Sequence, residues 1–209
     1  MTERMRAQSA RTETEVRDAD WECREITGET HERVAFFGVD LTEAVSSGAS
    51  FTDCTFNDCK FNASEHSSTA FVNCVFTGCS FFDASFTSCK LVGSTFDRCT
   101  FGLFKVAGGD WSFVSLAGAD LEKASIISAR MREADLTGAK LAGATIQHVD
   151  LSGAVLTRAN LTRADLRGSD LSTLDPLTTE LRDAVIDADQ AVTVAMALGL
   201  RVQAEAPRR

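Results

Sequence analysis

From Phe36 to Leu171 the chain keeps one beat: every fifth residue is a large apolar side chain at 26 of 28 successive positions, the exceptions being Ser46 and His66. Helices repeat at 3.6 residues and strands at 2, so neither ordinary period produces this spacing. Two residues before the beat stands a small side chain. It is cysteine at Cys54, Cys59, Cys74, Cys79, Cys89 and Cys99, and alanine at Ala119, Ala124, Ala129, Ala134, Ala139 and Ala144. The later units spell READL, TRANL and TRADL. Self-similarity at a fixed period decides the architecture before composition does.

A pentad that combines a short extended segment with a tight corner turns the chain by about a right angle. Four pentads then close a coil of twenty residues. The beat residue i and residue i−2 point inward, as strand alternation requires, and i−1, i+1 and i+2 point outward. Coils stacked at the strand spacing make seven coils of these 28 pentads, a rod about 34 Å long. Stacking by twenty aligns Phe36, Phe56, Phe76, Phe96, Leu116, Leu136 and Leu156 in one interior column. Gly118, Gly138, Gly143, Gly153 and Gly168 fall at corners. The expectation is an all-β solenoid with a filled axis.

The formal charge of −9 disfavours DNA and anionic membranes as partners and favours a basic protein surface. No apolar run reaches membrane-spanning length, and the N-terminus lacks a secretory hydrophobic stretch, so a cytoplasmic protein is expected. Residues 1–20 read as a mobile charged tail, 21–186 as the solenoid, and 187–209 as a C-terminal helix and tail.

Several tempting sites read as architecture. Six of the seven cysteines occupy the small inward slot and form parallel ladders, whereas zinc needs four converging ligands. They read as packing thiols. His66 sits on a beat beneath Ser46 and reads as a histidine satisfied inside the rod or a loosened corner. Phe104 fills a slot meant for a small side chain, with Gly108 and Gly109 following, which predicts a distortion over residues 102–111. No phosphate loop, HExxH or GxSxG motif occurs, so neither an enzyme nor a cofactor or metal site is expected.

After Leu171, Asp175-Pro176 signals a turn and Leu181 and Ile186 keep the beat for half a coil more. Asp187 or Asp189 can then cap a helix through QAVTVAMAL, closed by Gly199. A helix apolar on all sides needs cover on more than one. One side can seal the last coil. The other, through Val192, Val194, Ala195, Met196 and Leu198, suggests a homodimer across a two-fold axis.

The A(D/N)LXX units resemble the pentapeptide repeat family, which implies a right-handed quadrilateral β-helix. The C-terminal stretch VIDADQAVTVAMALGL, following an Asp-Pro, is similar to the MfpA and Qnr group of fluoroquinolone-resistance proteins. That resemblance implies a helical dimerisation cap and an acidic rod that mimics B-form DNA. The rod would bind DNA gyrase, a type II topoisomerase, in place of DNA, without binding nucleic acid itself. It would protect the enzyme from fluoroquinolones or a natural poison. Unlike Qnr proteins, this frame carries no projecting loops, and its first 20–30 residues lie beyond the MfpA-like part. The acidic candidates for the partner surface are Asp97, Asp110, Asp120, Glu122, Asp135, Asp150, Asp165 and Asp170. Two chains carry −18, against about 40 charges on duplex DNA of the dimer's length, so the mimicry is partial. Aspartates before the beat also suit corner hydrogen bonds. The alternative from another class is a structural or adaptor rod with no topoisomerase partner.

Overall fold

The structure is a computed structural model that describes residues 12–203. It is a β-solenoid in which rungs twenty residues apart pair in parallel register, from Thr14↔Val34 to Asp165↔Val185. One side stacks Thr14–Arg17, Val34–Phe37, Thr55–Asn57, Val75–Thr77 and Thr95–Asp97, with Phe36 opposite Phe56 and Phe76 opposite Phe96. A second carries seven strands from Glu25–Thr27 to Thr145–Gln147, and a third begins with Thr30–Glu32, Ser50–Thr52 and Ala70–Val72. The fourth side is a column of single bridges such as Asp20↔Asp40, Asp40↔Lys60 and Asp120↔Lys140.

The corner is made by residue i+2, which sits in the left-handed region at pentad after pentad, whether it is Asp53 (φ 53), Arg98 (φ 53) or Gly118 (φ 69). In the column that runs from Phe56, Phe76 and Phe96 into Leu116 and Leu136, the alanine-rich half adds a bond from the N–H of i+3 to the beat carbonyl, as from Ala119 to Leu116 and from Ala139 to Leu136, both at 3.0 Å. That tight turn shortens strands to bridges.

Inside, like side chains stack at the strand spacing. Phe36–Phe56, Phe56–Phe76 and Phe76–Phe96 have ring centroids 4.7, 4.8 and 4.7 Å apart. Phe104 does occupy an inward slot and is buried. Its volume is offset by the smaller beat residue Val106, while Gly109 vacates the next inward slot for Trp111. The ladder survives: Asp110 N–H reaches Cys89 O at 2.9 Å and Arg130 N–H reaches Gly109 O at 3.0 Å. The expected distortion is confined to Gly109, whose φ of +89 places it in the left-handed region at an i−2 position.

Coil pairing begins earlier than residue 21. Thr14–Arg17 already lies against Val34–Phe37, so the segment read as a tail from 1 to 20 contains the start of the first coil. The rest of that expected tail, residues 1–11, falls outside the described residues, as do 204–209.

At the other end the helix spans Ala188–Ala197 and Asp187 is its cap, in a capping box with Gln190. The Gln190 amide donates to Leu166 O at 2.6 Å and Ser169 O at 2.7 Å, which fastens the first turn onto the last coils. Gly199 (φ 81) closes the helix, with its N–H on Met196 O and that of Leu200 on Ala195 O.

Candidate functional site

Asp110, Asp120, Asp135, Asp150, Asp165 and Asp170 stand at i−1, and all six use one carboxylate oxygen to hold the corner. Oδ1 accepts the N–H two residues on, at 3.1 Å from Ser112 for Asp110, 3.1 Å from Ser152 for Asp150 and 2.9 Å from Ser172 for Asp170. The Ser112 and Ser152 hydroxyls add bonds of 2.6 Å. These aspartates are therefore structural as well as charged.

Their second oxygens are often paired. Asp110 meets Arg130 at 3.0 Å, Asp150 meets Arg132 at 2.6 Å, and Asp165 meets Arg167 at 2.6 Å. Asp120 meets Lys140 at 3.3 Å, and Asp97 meets Arg98 at 3.2 Å. Among the described residues Glu122, Asp135 and Asp170 form no ion pair. The hydrogen bond from Arg167 holds the Asp165 carboxyl down to about 2. Asp150 is lowered by the Ser152 hydroxyl first and then by Arg132. Partial desolvation raises Asp110, but Ser112 and Arg130 outweigh it and leave that carboxyl lowered.

The solenoid brings some of the eight together and separates others. Asp110, Arg130 and Asp150 form one column and line a charge-balanced groove of about 520 Å³. Asp120 is on the bridge column with Lys140, Asp135 is bridged to Ser115, and Asp165 is bridged to Thr145. The acidic candidates thus surround the rod.

The acid excess lies elsewhere. Residues 12–65 hold 13 acidic and 4 basic side chains, whereas 66–203 hold 15 and 12. The signal was in the sequence: Val16, Trp21, Ile26 and His31 continue the beat backward from Phe36, and they bring Asp18, Asp20, Glu22, Glu25 and Glu32 onto the rod.

The cysteines behave as packing thiols. Cys74 Sγ donates to Phe51 O at 3.3 Å and Cys79 Sγ to Phe56 O at 3.4 Å, the position served by Ser94 Oγ on Phe71 O at 2.8 Å. All seven are free, and among the described residues no group of three or more His, Cys, Asp or Glu could hold a metal ion.

The two polar beats are partners. Ser46 Oγ lies 2.6 Å from His66 Nδ1, and Ser64 Oγ lies 2.9 Å from Nε2. Ser64 donates its hydroxyl hydrogen to Phe61 O at 2.8 Å. It must therefore accept from Nε2–H, which leaves Nδ1 to accept from Ser46. The group is sealed, with Ser46 and His66 at 0% and 2% exposure, so no substrate reaches it.

The C-terminal helix presents an apolar surface. Met196 is 62% exposed, Leu198 49% and Val192 40%, and Leu200 and Val202 continue the patch. Ala195 is half-buried, and Val194 alone of the five dimer candidates packs against the core. No helix among the described residues is long and apolar enough to cross a membrane.

Comparison with known proteins places these features. Family models for pentapeptide repeats match residues 32–64, 112–141 and 134–172, and a pentapeptide repeat region model matches 49–126. No curated protein matches significantly in sequence. Among solved structures, trypsin-treated R167E QnrB1, a plasmid-mediated fluoroquinolone resistance protein, is 23% identical. That match covers 90% of this chain and 97% of QnrB1, with a TM-score of 0.55. Full-length QnrB1 is 24% identical over 90% and 98% of the two chains, also with a TM-score of 0.55. HetL, a heterocyst-differentiation protein of Nostoc, is 20% identical over 81% and 87%, with a TM-score of 0.30. With its unbroken five-residue frame and twenty-residue ladder, this chain belongs to the pentapeptide repeat family.

Proposed function

We propose that the protein is a DNA-mimicking ligand of DNA gyrase or another type II topoisomerase. It would compete with DNA for a basic surface and protect the enzyme from fluoroquinolones or a natural poison. The observation that carries this reading is a filled, unbroken rod whose first coils hold 13 acids against 4 bases. The fold likeness to the fluoroquinolone resistance protein QnrB1, which spans 90% of this chain, supports it. A stiff rod loses little conformational entropy on docking. Its acid surplus makes association fast and salt-sensitive. The working form is a homodimer joined through Val192, Met196 and Leu198, which doubles the length of the acidic rod. Purified gyrase, assayed for supercoiling with and without the protein, tests the reading.

The ion pairs at Asp97, Asp110, Asp120, Asp150 and Asp165 favour a second one, an adaptor rod with no topoisomerase partner. Direct binding to gyrase separates the two, because an adaptor of that kind shows none.

A further inference from the structure

The first coil breaks the inward pattern at two places. From residue 14 to residue 184 every i−2 slot holds an uncharged residue except those of Arg24 and Glu29. Among the described residues the two side chains face each other at the N-terminal end of the rod, where Arg24 Nη2 reaches Glu29 Oε1 at 2.9 Å and Oε2 at 3.1 Å. Arg24 lies over the Trp21 ring at 4.2 Å, and Glu29 Oε2 contacts His31 Nε2 at 3.2 Å. His31 in turn stacks on Phe51 at 4.9 Å, and Trp21 meets Phe36 edge-on at 5.6 Å. Ile26, within the same coil, is 0% exposed. A polar plug one side chain thick thus covers the end of the aromatic stack.

Around the plug runs an acidic rim. Residues 12–33 hold 8 acidic and 3 basic side chains, and the outward ones include Glu15, Asp18, Glu22, Glu25 and Glu32. Among the described residues the strands at this end, Thr14–Arg17, Glu25–Thr27 and Thr30–Glu32, are the terminal strands of their sheets. Such edges are templates for further pairing, and inward-pointing charge is one of the devices that blunts them.

We propose that the first coil is an end-stop: the Arg24–Glu29 plug and the acidic rim together prevent a second copy of this chain from stacking end to end on the N-terminal coil. Two rods meeting there would bury two ion pairs without water and bring two acidic rims within a Debye length of about 8–10 Å at moderate salt. Self-association is left to the C-terminal end.

The test is the mass of the full-length protein by light scattering at about 0.1 M and about 1 M salt. The variants are Arg24→Ala with Glu29→Ala, which restores the alanine of later coils, and the charge-swapped pair Arg24→Glu with Glu29→Arg. A fluorophore on Cys23, the only exposed cysteine, reports contact between first coils by self-quenching. The double-alanine variant is expected to reach at least twice the parent mass, more so at high salt, with quenching at Cys23. The swapped variant is expected to stay at the parent mass. The proposal is overturned if the double-alanine variant keeps the parent mass at both salts, or associates without quenching. Loss of its β circular dichroism would overturn it too, since the pair would then serve folding.

Discussion

Ser46 Oγ and His66 Nδ1 lie 2.6 Å apart on adjacent coils, so the only two polar residues among the 28 beats satisfy each other inside an aromatic stack. Burial pushes the His66 pKa down to about 3 from an ordinary 6.5. The folded state holds the neutral ring while the unfolded chain takes up a proton. His66 therefore costs nothing above about pH 6.5, and stability falls as pH drops from there toward 3, by about 1.4 kcal/mol per unit. Urea unfolding at pH 7.5 and pH 5.5 should show a loss that is smaller, by about 1.4 kcal/mol, in a variant with Ser46→Ala and His66→Phe. Equal losses in both proteins would contradict the assignment.

Gly109 is irreplaceable for a different reason. A Cβ there would sit 2.1 Å from Cys89 O, at a φ of +89. Gly118, also left-handed at φ +69, has nothing within 4 Å of the same atom. Gly109→Ala should therefore cost more than about 2 kcal/mol, because the ladder must open, against about 1 kcal/mol for Gly118→Ala. Thermal melts of the two variants measure the difference, and similar costs would mean the coil relaxes around Gly109.

Charge at the corners can be removed without removing the corner. Asparagine keeps the Oδ1 acceptor, so Asp110→Asn, Asp150→Asn and Asp170→Asn together should leave the melting temperature within a few degrees. The same triple variant should weaken topoisomerase binding several-fold at low salt. Arg130→Gln with Arg132→Gln, which frees two paired carboxylates, should strengthen it. Binding that ignores all five changes would confine the contact to the acidic first coils, residues 12–65, that carry the reading.

Met196, 62% exposed in the last turn of the helix, tests the homodimer. Lysine at this position suits a helix C-terminus, where cations are favoured, so Met196→Lys should leave the helix intact. A drop in mass from dimer to monomer, with unchanged circular dichroism, is the expected outcome. An unchanged dimer would move the interface away from Val192, Met196 and Leu198.

The interior was legible because inward positions obey geometry alone: Phe56 must stack on Phe36 once the coil is twenty residues long. The Gly199 stop was legible for the same local reasons, and the cap was narrowed to Asp187 or Asp189, of which the structure uses Asp187. The start of the first coil, Thr14–Arg17, was obscured because Arg24 and Glu29 occupy slots that elsewhere hold small residues, which hid the beat at Val16. The surface was less legible still. Asp110 and Arg130 pair within one column, as their spacing of twenty implies, but Arg132 reaches Asp150 by a side-chain conformation that the repeat does not encode.

The most direct measurement is DNA supercoiling by purified gyrase against rising concentrations of the folded full-length protein, with and without a fluoroquinolone. The account predicts dose-dependent inhibition that weakens as salt rises, together with less drug-stabilised cleavage. Unchanged supercoiling and cleavage at large excess, with no detectable binding, would contradict it and leave the adaptor rod.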